Sequence, residues 1–236
     1  MKLGLIGYGT MGQMVNTCAR DRGHQVALVV TSRDAALDIE ELSEKVSGLD
    51  AVIDFSVPGA VLKNIEACVR ARVPLVEGTT GWRGQEADAL RIVEREGGAL
   101  IYGANFSIGI NLFYRVIANA AALFRGLDDY DPFIEEAHHA RKRDAPSGTA
   151  LRLRDILSAH LGREITVAST RAGHIPGTHR VGFDSAADQV TLTHTARSRE
   201  GFASGALAAA RWIVNHQGMH EFSEVIDQIL SVERRE

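Results

Sequence analysis

A short apolar strand, Lys2 to Ile6, runs directly into Gly7-Tyr8-Gly9-Thr10-Met11-Gly12, and Met11, Met14, Val15 and Cys18 then recur at helical spacing as far as Arg22-Gly23. A strand, a glycine turn and a helix in that order constrain the fold more than any other part of the chain. Gly7 permits the tight turn, Gly9 lets a pyrophosphate approach the backbone, and Gly12 lets the helix pack closely on the strand. Gly7, Tyr8, Gly9, Thr10, Met11 and Gly12 are therefore expected to form a dinucleotide-binding loop, the alternative being a purely structural turn. A second strand, Val26 to Val30, ends in Thr31-Ser32-Arg33. A neutral hydroxyl pair followed by arginine suits a 2′-phosphate, whereas an acidic residue would suit a ribose hydroxyl. NADPH is favoured over NADH on this reading, with Arg33 as an ordinary solvated charge the alternative.

Strand and helix patterns continue to alternate through Ala51 to Phe55, Val61 to Ala71, Val73 to Val76, Ala87 to Val93 and Ala99 to Tyr102. The alternation predicts a parallel sheet, in which ligands lie beyond the carboxyl ends of the strands. The segments that follow those strands supply the remaining candidate cofactor contacts: Phe55 and Ser56, then Gly78, Thr79 and Thr80, then Ala104, Asn105 and Phe106. The Gly78-Thr79-Thr80-Gly81 segment fits a contact to the nicotinamide amide, a contact to the substrate, or a turn with neither role.

A different chemistry is written into Glu136-Ala137-His138-His139-Ala140-Arg141-Lys142-Arg143-Asp144-Ala145-Pro146-Ser147-Gly148-Thr149-Ala150. Phe133 to His138 reads as a strand, Asp144 to Ser147 as a turn, and Thr149 onward as a helix carrying Leu151, Leu153, Ile156, Leu157 and Leu161. Ser147, Gly148 and Thr149 thus stand at a helix N-terminus, where unpartnered N–H groups and the peptide dipole favour a carboxylate or phosphate. Adjacent strand residues point to opposite faces, so His138 and His139 cannot chelate one metal together or share one task. No metal site is expected. Histidine is the side chain best placed to exchange protons near neutrality, and Lys142 adds a mobile positive charge. The competing reading is a packed His-His pair in a basic loop, with Ser147 acting only as a helix cap.

Composition excludes several classes of function. A net charge of −4 over 236 residues gives no general affinity for nucleic acid, and no basic stripe with interleaved aromatics is present. No apolar run is long enough to span a bilayer, and no signal-peptide pattern precedes the first strand. Cys18 and Cys68 fall on helical apolar positions, which predicts free thiols and a cytoplasmic setting.

Taken together, these motifs resemble the 4-hydroxy-tetrahydrodipicolinate reductase family, also called dihydrodipicolinate reductases. The resemblance covers nearly the whole chain. Its most specific part is Glu136 to Ala150, which fits the family pattern E-x-H-H-x-x-K-x-D-A-P-S-G-T-A at every defined position. Supporting matches are Val52-Ile53-Asp54-Phe55-Ser56, Gly78-Thr79-Thr80-Gly81, Ala104-Asn105-Phe106-Ser107-Ile108-Gly109, Arg171-Ala172-Gly173 and Phe202-Ala203-Ser204-Gly205-Ala206. The resemblance implies NAD(P)H-dependent reduction of a conjugated cyclic imine bearing two carboxylates, in lysine and diaminopimelate biosynthesis. It also implies roles: His138 as proton donor, Lys142, His139, Gly148 and Thr149 as holders of the substrate carboxylates, and Thr80 between nicotinamide and substrate. Ser147 is grouped with these substrate contacts. A homo-oligomer, a tetramer built through the sheet of the substrate domain, is implied in the same way.

The chain departs from the family pattern in two places. Its glycine loop is one residue shorter than in many members and lacks their arginine. His174 stands where an acidic residue is usual, and Gly177-Thr178-His179 replaces Gly-Glu-His. Neither change removes an implied catalytic group. The fold expected is α/β: a Rossmann-like dinucleotide-binding domain with a parallel sheet, residues 1–106 and 211–236, plus a smaller α+β substrate domain with a mixed sheet, residues 107–210. A long helix at about Ile110 to Phe124, strands at Ile165 to Thr170, His179 to Phe183 and Val190 to Ala196, and helices at Phe202 to His216 and Phe222 to Leu230 complete the reading. Two rival functions remain at this level: another NAD(P)-dependent oxidoreductase of the same fold acting on a different imine or carbonyl, and a non-catalytic dinucleotide sensor.

Overall fold

A computed structural model describes residues 1–233 of the chain. In order, its strands are β1 (Lys2–Ile6), β2 (Gln25–Val30), β3 (Ala51–Asp54), β4 (Leu75–Glu77), β5 (Ala99–Tyr102), β6 (Asp131–His138), β7 (Thr166–Arg171), β8 (Thr178–Asp184), β9 (Gln189–Thr195) and β10 (Gly218–Glu221). Its α-helices are α1 (Thr10–Asp21), α2 (Ile39–Val46), α3 (Val61–Arg70), α4 (Glu86–Glu96), α5 (Ile108–Phe124), α6 (Gly148–Leu161), α7 (Glu200–Ile213) and α8 (Phe222–Glu233). Two compact units result, one formed by residues 1–108 with the chain from Arg199 onward, the other by Gly109–Ser198.

In the first unit the strands lie in the order β10-β5-β4-β3-β1-β2, and every pairing is parallel. All four residues of β3 are buried, as a strand covered on both faces requires. One face is covered by α1, α7 and α8, which bring Val15, Leu207, Trp212 and Ile226 onto Leu3, Leu5 and Ile53. The other is covered by α2, α3 and α4, through Leu42, Ile65 and Val93. The strand order turns about β1, between β2 and β3, so the crevice beyond the ends of β1 and β3 is where a ligand belongs.

The second unit holds a mixed sheet, β7-β6-β8-β9, with β6 and β7 parallel and the other pairs antiparallel. Along β6, Pro132, Ile134, Glu136 and His138 are buried while their neighbours are less so, the period-2 pattern of a sheet covered on one face. The covered face is apolar at one end, where Ile134, Val181 and Phe183 meet Phe113 and Ile117 of α5 and Leu153 and Leu157 of α6. At the other end it becomes polar.

The expected fold class holds: a Rossmann-like unit with a parallel sheet and a smaller α+β unit with a mixed one. The return crossing falls before α7 rather than at residue 211, because α7 carries Ala203, Ala206 and Leu207 in the core of the first unit along with Trp212. Likewise the first crossing follows Ile108 rather than residue 106. Residues 234–236, placed with the first domain on sequence, lie outside the described residues. Two elements had no counterpart in the sequence reading, α2 and β10. The first carries its own signal, an Asp38 capping box in which the Asp38 side chain accepts from Glu41 N–H and Glu41 accepts from Asp38 N–H. Cys18 and Cys68 are free thiols, as expected. Among the described residues no helix is long and apolar enough to cross a membrane.

α7 approaches the loop after β5 so closely that a Cβ at Gly205 would lie 1.7 Å from the Phe106 carbonyl oxygen. Backbone cannot yield as a flexible side chain can. Gly205→Ala is expected to cost about 2 kcal/mol of folding stability or more, the range of core overpacking. Equilibrium urea unfolding measures it, and an unchanged midpoint would show that α7 can shift freely.

Candidate active site

The glycine loop after β1 has the geometry that an anion at a helix N-terminus requires. Gly7 adopts φ +84°, and a Cβ there would lie 2.3 Å from the Phe55 carbonyl oxygen; one at Gly12 would lie 2.1 Å from the Gly7 carbonyl oxygen. At Gly9 a Cβ would meet no protein atom within 4 Å. Thus Gly7 and Gly12 are required by the chain's own packing, whereas Gly9 leaves the backbone open to approach. Gly9 is also the N-cap of α1 and supplies no side-chain cap, so no cap would compete with a phosphate for the first-turn N–H groups. Tyr8 lies beside them, exposed, its hydroxyl accepting from Asn16 Nδ2 at 2.7 Å. These residues fit a dinucleotide pyrophosphate.

At the end of β2, Thr31 caps a short 3₁₀ turn, Ser32–Asp34, with Arg33 exposed. The sequence reading of this segment passes over Asp34. Its carboxylate accepts from Thr31 N–H at 2.9 Å and from the Thr31 hydroxyl at 3.2 Å, closing a capping box. Those hydrogen bonds, the Thr31 backbone bond foremost, draw the Asp34 carboxyl below its usual range. Asp34 is therefore engaged with its own turn.

The loops after β3, β4 and β5 stand at the same end of the sheet as the glycine loop. Phe55 and Ser56 are half-buried, Thr80 and Ala104 exposed, and Asn105 half-buried. Two residues expected to contact a cofactor are instead structural in their side chains. Thr79 is buried, with its hydroxyl accepting from Ser56 N–H at 3.1 Å. Phe106 is only 1 % exposed and packs on Phe55 and Phe222, so it can offer a cofactor nothing but backbone.

In the second unit the polar end of the covered face gathers around Glu136. Residues two apart on a strand share a face, so Glu136 and His138 point the same way and His139 does not. Arg171 is the register partner of His138 on β7, and His179 that of Glu136 on β8. Both Glu136 oxygens are occupied: Oε2 accepts from His138 Nδ1, and Oε1 from Arg171 Nη2 at 2.6 Å and from Ser147 N–H at 3.3 Å. Arg171 also donates to the Asp144 carbonyl at 2.6 Å, which fastens the turn before α6. The His179 ring stands edge-on to His138 with centroids 5.1 Å apart.

Ser147 begins α6 as a true N-cap, 2 % exposed, its hydroxyl accepting from Ala150 N–H at 3.2 Å and hydrogen-bonded to His179 Nε2 at 3.1 Å. The sequence grouped Ser147 with the substrate contacts; its side chain is spent on the helix. Gly148 and Thr149 then follow as the first helical positions, whose N–H groups have no intrahelical acceptor. Gly148 is exposed, and a Cβ there would meet nothing within 4 Å. Lys142 lies on the same turn with its ammonium 2.8 Å from Asp144 Oδ1. His139 is half-buried, and among the described residues its Nδ1 has no hydrogen-bond partner.

Electrostatics follow from this geometry. Burial opposes the Glu136 charge, but Arg171, Ser169 and His138 together outweigh it and hold the carboxyl down at about 2. Burial draws His138 below the usual histidine value, against the pull of Glu136. His179 is pushed down to about 4 by burial and by the neighbouring His138, so it stays neutral. His138 is accordingly the titrating member of the group. Glu136, His138 and His179 also offer donor atoms within 4.8 Å of one another, the spacing of a metal site. With the Arg171 guanidinium on one carboxylate oxygen and His138 Nδ1 on the other, the charge of Glu136 is already paired within the protein, and a cation there would sit beside that guanidinium.

Glu136, Arg171 and His179 lie in the sequence motifs, but the sequence alone assigns them no role. Glu136 was recoverable from strand periodicity, being two residues before His138. Arg171 and His179 reach the site only through sheet register.

Comparison with known proteins gives these features a family. The family model for the N-terminus of dihydrodipicolinate reductase matches residues 1–106, and the one for its C-terminus matches residues 109–226. The 4-hydroxy-tetrahydrodipicolinate reductase of Christiangramia forsetii is 36% identical over 241 residues, covering 97% of this chain and 99% of that protein. Its counterpart from Methanosarcina barkeri is 37% identical over 199 residues, 77% of this chain and 74% of that one. Among solved structures, a dipicolinate-bound dihydrodipicolinate reductase from Paenisporosarcina sp. TG-14 shares the fold with a TM-score of 0.76 at 21% identity, over 94% of this chain and 97% of that one. An amine dehydrogenase from Mycobacterium smegmatis shares it at 0.63 with 9% identity, over 94% of this chain and 95% of that one.

Removing Arg171 leaves a buried carboxylate without its guanidinium. Arg171→Ala is expected to cost about 3 kcal/mol at neutral pH, the cost of breaking a buried pair. Because the Glu136 carboxyl is depressed from 4.5 to about 2 on folding, its stabilisation is complete above pH 4.5 and is lost as the pH falls towards 2. The difference between the two proteins in urea unfolding should therefore shrink over that window. A difference independent of pH would contradict the assignment.

Proposed function

The chain belongs to the dihydrodipicolinate reductase family, and we propose that the His138 site is where it binds and protonates its substrate. It is an oxidoreductase that uses NADH or NADPH to reduce 4-hydroxy-tetrahydrodipicolinate to tetrahydrodipicolinate, a step of lysine and diaminopimelate biosynthesis. One observation carries the site assignment: an imidazole whose Nδ1 is committed to a buried carboxylate stands on the strand that leads into a lysine-bearing turn and a helix N-terminus whose first residue, Gly148, is exposed.

Gly7, Tyr8, Gly9, Thr10, Met11 and Gly12 would hold the cofactor pyrophosphate and Arg33 its 2′-phosphate, with Phe55, Ser56, Gly78, Thr80, Ala104, Asn105 and the Phe106 backbone flanking the nicotinamide. When bound, that cofactor supplies a hydride to the conjugated imine. The substrate is a small dicarboxylate dianion. Gly148 and Thr149 offer N–H donors to one carboxylate, and Lys142, exchanging Asp144 for the substrate, offers a charge-assisted contact, with His139 beside it. Hydride addition leaves a nucleophilic enamine that must take up a proton. With Nδ1–H held by Glu136, the proton His138 can give is the one on Nε2. Burial makes the imidazolium a stronger acid, and the anionic substrate, which favours the charged form, would oppose that downward shift.

A homotetramer in the cytoplasm is the assembly and setting proposed. Its support is the family, together with the outer strands β7 and β9, which leave most of their residues exposed or partly exposed. A non-catalytic dinucleotide sensor would have no use for a carboxylate-oriented imidazole beside an anion site.

The test is an assay with the condensation product of pyruvate and aspartate semialdehyde, following nicotinamide oxidation. Reduction with both cofactors is expected, NADPH favoured. His138→Gln should lower kcat by about a hundredfold or more with a modest change in KM, the effect of losing a general acid. Lys142→Ala should chiefly raise KM. Near-normal turnover in His138→Gln, with chemistry limiting, would remove His138 from the mechanism.

A further inference from the structure

The mechanism leaves two buried acids of the first unit unused. Asp54 and Glu77 end the neighbouring strands β3 and β4, are register partners, and are both fully buried. Their side chains consequently share a face, under α3. Asp54 is well supplied with donors: Ser56 N–H at 2.7 Å on Oδ1, Asn64 Nδ2 at 2.6 Å on Oδ2, and the Thr79 hydroxyl 3.5 Å from Oδ1. Glu77 is not. Its Oε1 accepts from Thr79 N–H at 2.7 Å, but among the described residues Oε2 has no donor. An ionised oxygen there would be stranded beside a second carboxylate in a fully buried site, which is far costlier than holding a proton. As a carboxylic acid, Glu77 can instead face the Asp54 charge.

The chemistry of the surroundings agrees. Burial and the neighbouring Asp54 charge hold the Glu77 carboxyl well above the usual carboxylate range; burial raises Asp54 as well, against the bonds from Ser56 and Asn64. The other titratable groups facing the pair are the Cys68 thiol on α3 and Tyr102, the register partner of Glu77 on β5. Burial raises both, so neither loses its proton near neutrality. The donors around Asp54 are N–H and O–H groups, which suit an anion and not a metal cation.

These hydrogen bonds go to particular places. Ser56 N–H belongs to the loop after β3, and Thr79 to the loop after β4. We propose that Asp54 and Glu77 share one proton at neutral pH, and that this acid pair is the positioning device for the two loops, Phe55-Ser56 and Gly78-Thr79-Thr80, that receive the nicotinamide cofactor. The proposal rests on the cofactor reading of those loops given above. Glu77 acts through the loops and touches no reacting atom. As the pH rises past the point where the pair gives up its shared proton, two adjacent buried charges repel, the loops lose their clasp, and cofactor affinity falls.

The full-length chain tests this with two readouts that do not depend on turnover. Infrared difference spectroscopy at neutral pH should show the C=O band of a protonated carboxylic acid, absent from Glu77→Gln. Fluorescence titration with NADPH should show affinity falling by up to about tenfold per pH unit above the pair's upper pKa, as loss of one linked proton requires. Glu77→Gln, which keeps the shape and an N–H donor but cannot ionise, should abolish that fall. Glu77→Ala should weaken NADPH about tenfold at neutral pH, the loss of one buried hydrogen bond, with Gln restoring most of it. An unchanged carboxylic-acid band in Glu77→Gln, or the same alkaline fall as the unsubstituted chain, overturns the proposal. Absence of NADPH binding by the unsubstituted chain with the band intact overturns the cofactor reading of these loops, and the proposal with it.

Discussion

A carboxylate buried at the end of a strand cannot stay ionised unless every lone pair that matters is met, and Glu136 meets that condition with groups from three segments of the second unit. Arg171 comes from the parallel neighbour β7, the Ser147 N–H from the mouth of α6, and His138 from two residues further along β6 itself. Satisfying one charge thereby fixes the loop, the helix entrance and the imidazole together. The strand order β7-β6-β8 is what makes this possible, since only a central strand has a neighbour on each side to supply Arg171 and His179.

The first unit solves a different problem with the same economy of parts. Its site is made of backbone: a left-handed Gly7, a Gly12 pressed on the Gly7 carbonyl, and an uncapped helix entrance. Side chains enter beneath the loops, where Asp54, Asn64, Glu77 and Thr79 tie the ends of two strands to each other. In both units the residues that a ligand would meet are held by buried polar groups one layer further in.

That inner layer is also what the sequence conceals. The strand, glycine turn and helix of residues 2–22 are legible because a local motif dictates them, and the alternation that follows dictates a parallel sheet. His138, Lys142 and the α6 entrance are legible because they lie in one continuous run. Glu136 is a nearer miss: strand periodicity puts it on the His138 face. Arg171 and His179 are thirty-odd residues and more away, and their arrival depends on register, which composition does not encode locally. Ser147 and Phe106 show the converse case. Each sits in a motif that points at a ligand, and in each the side chain is consumed by the fold, as a helix cap and as a core aromatic. β10 escaped notice because its four residues are all half-buried and carry no periodic pattern.

Glu136 fixes the tautomer of His138, so that Nδ1 keeps its proton and Nε2 is the nitrogen that exchanges one. Nitrogen-15 NMR of the histidine rings, assigned by comparison with His138→Gln, reads this directly. Above the pKa of His138, a protonated Nδ1 and an unprotonated Nε2 are expected, with the Nε2 signal moving far more than the Nδ1 signal as the ring is titrated. A neutral ring carrying its proton on Nε2, or a fast mixture of both tautomers, would contradict it.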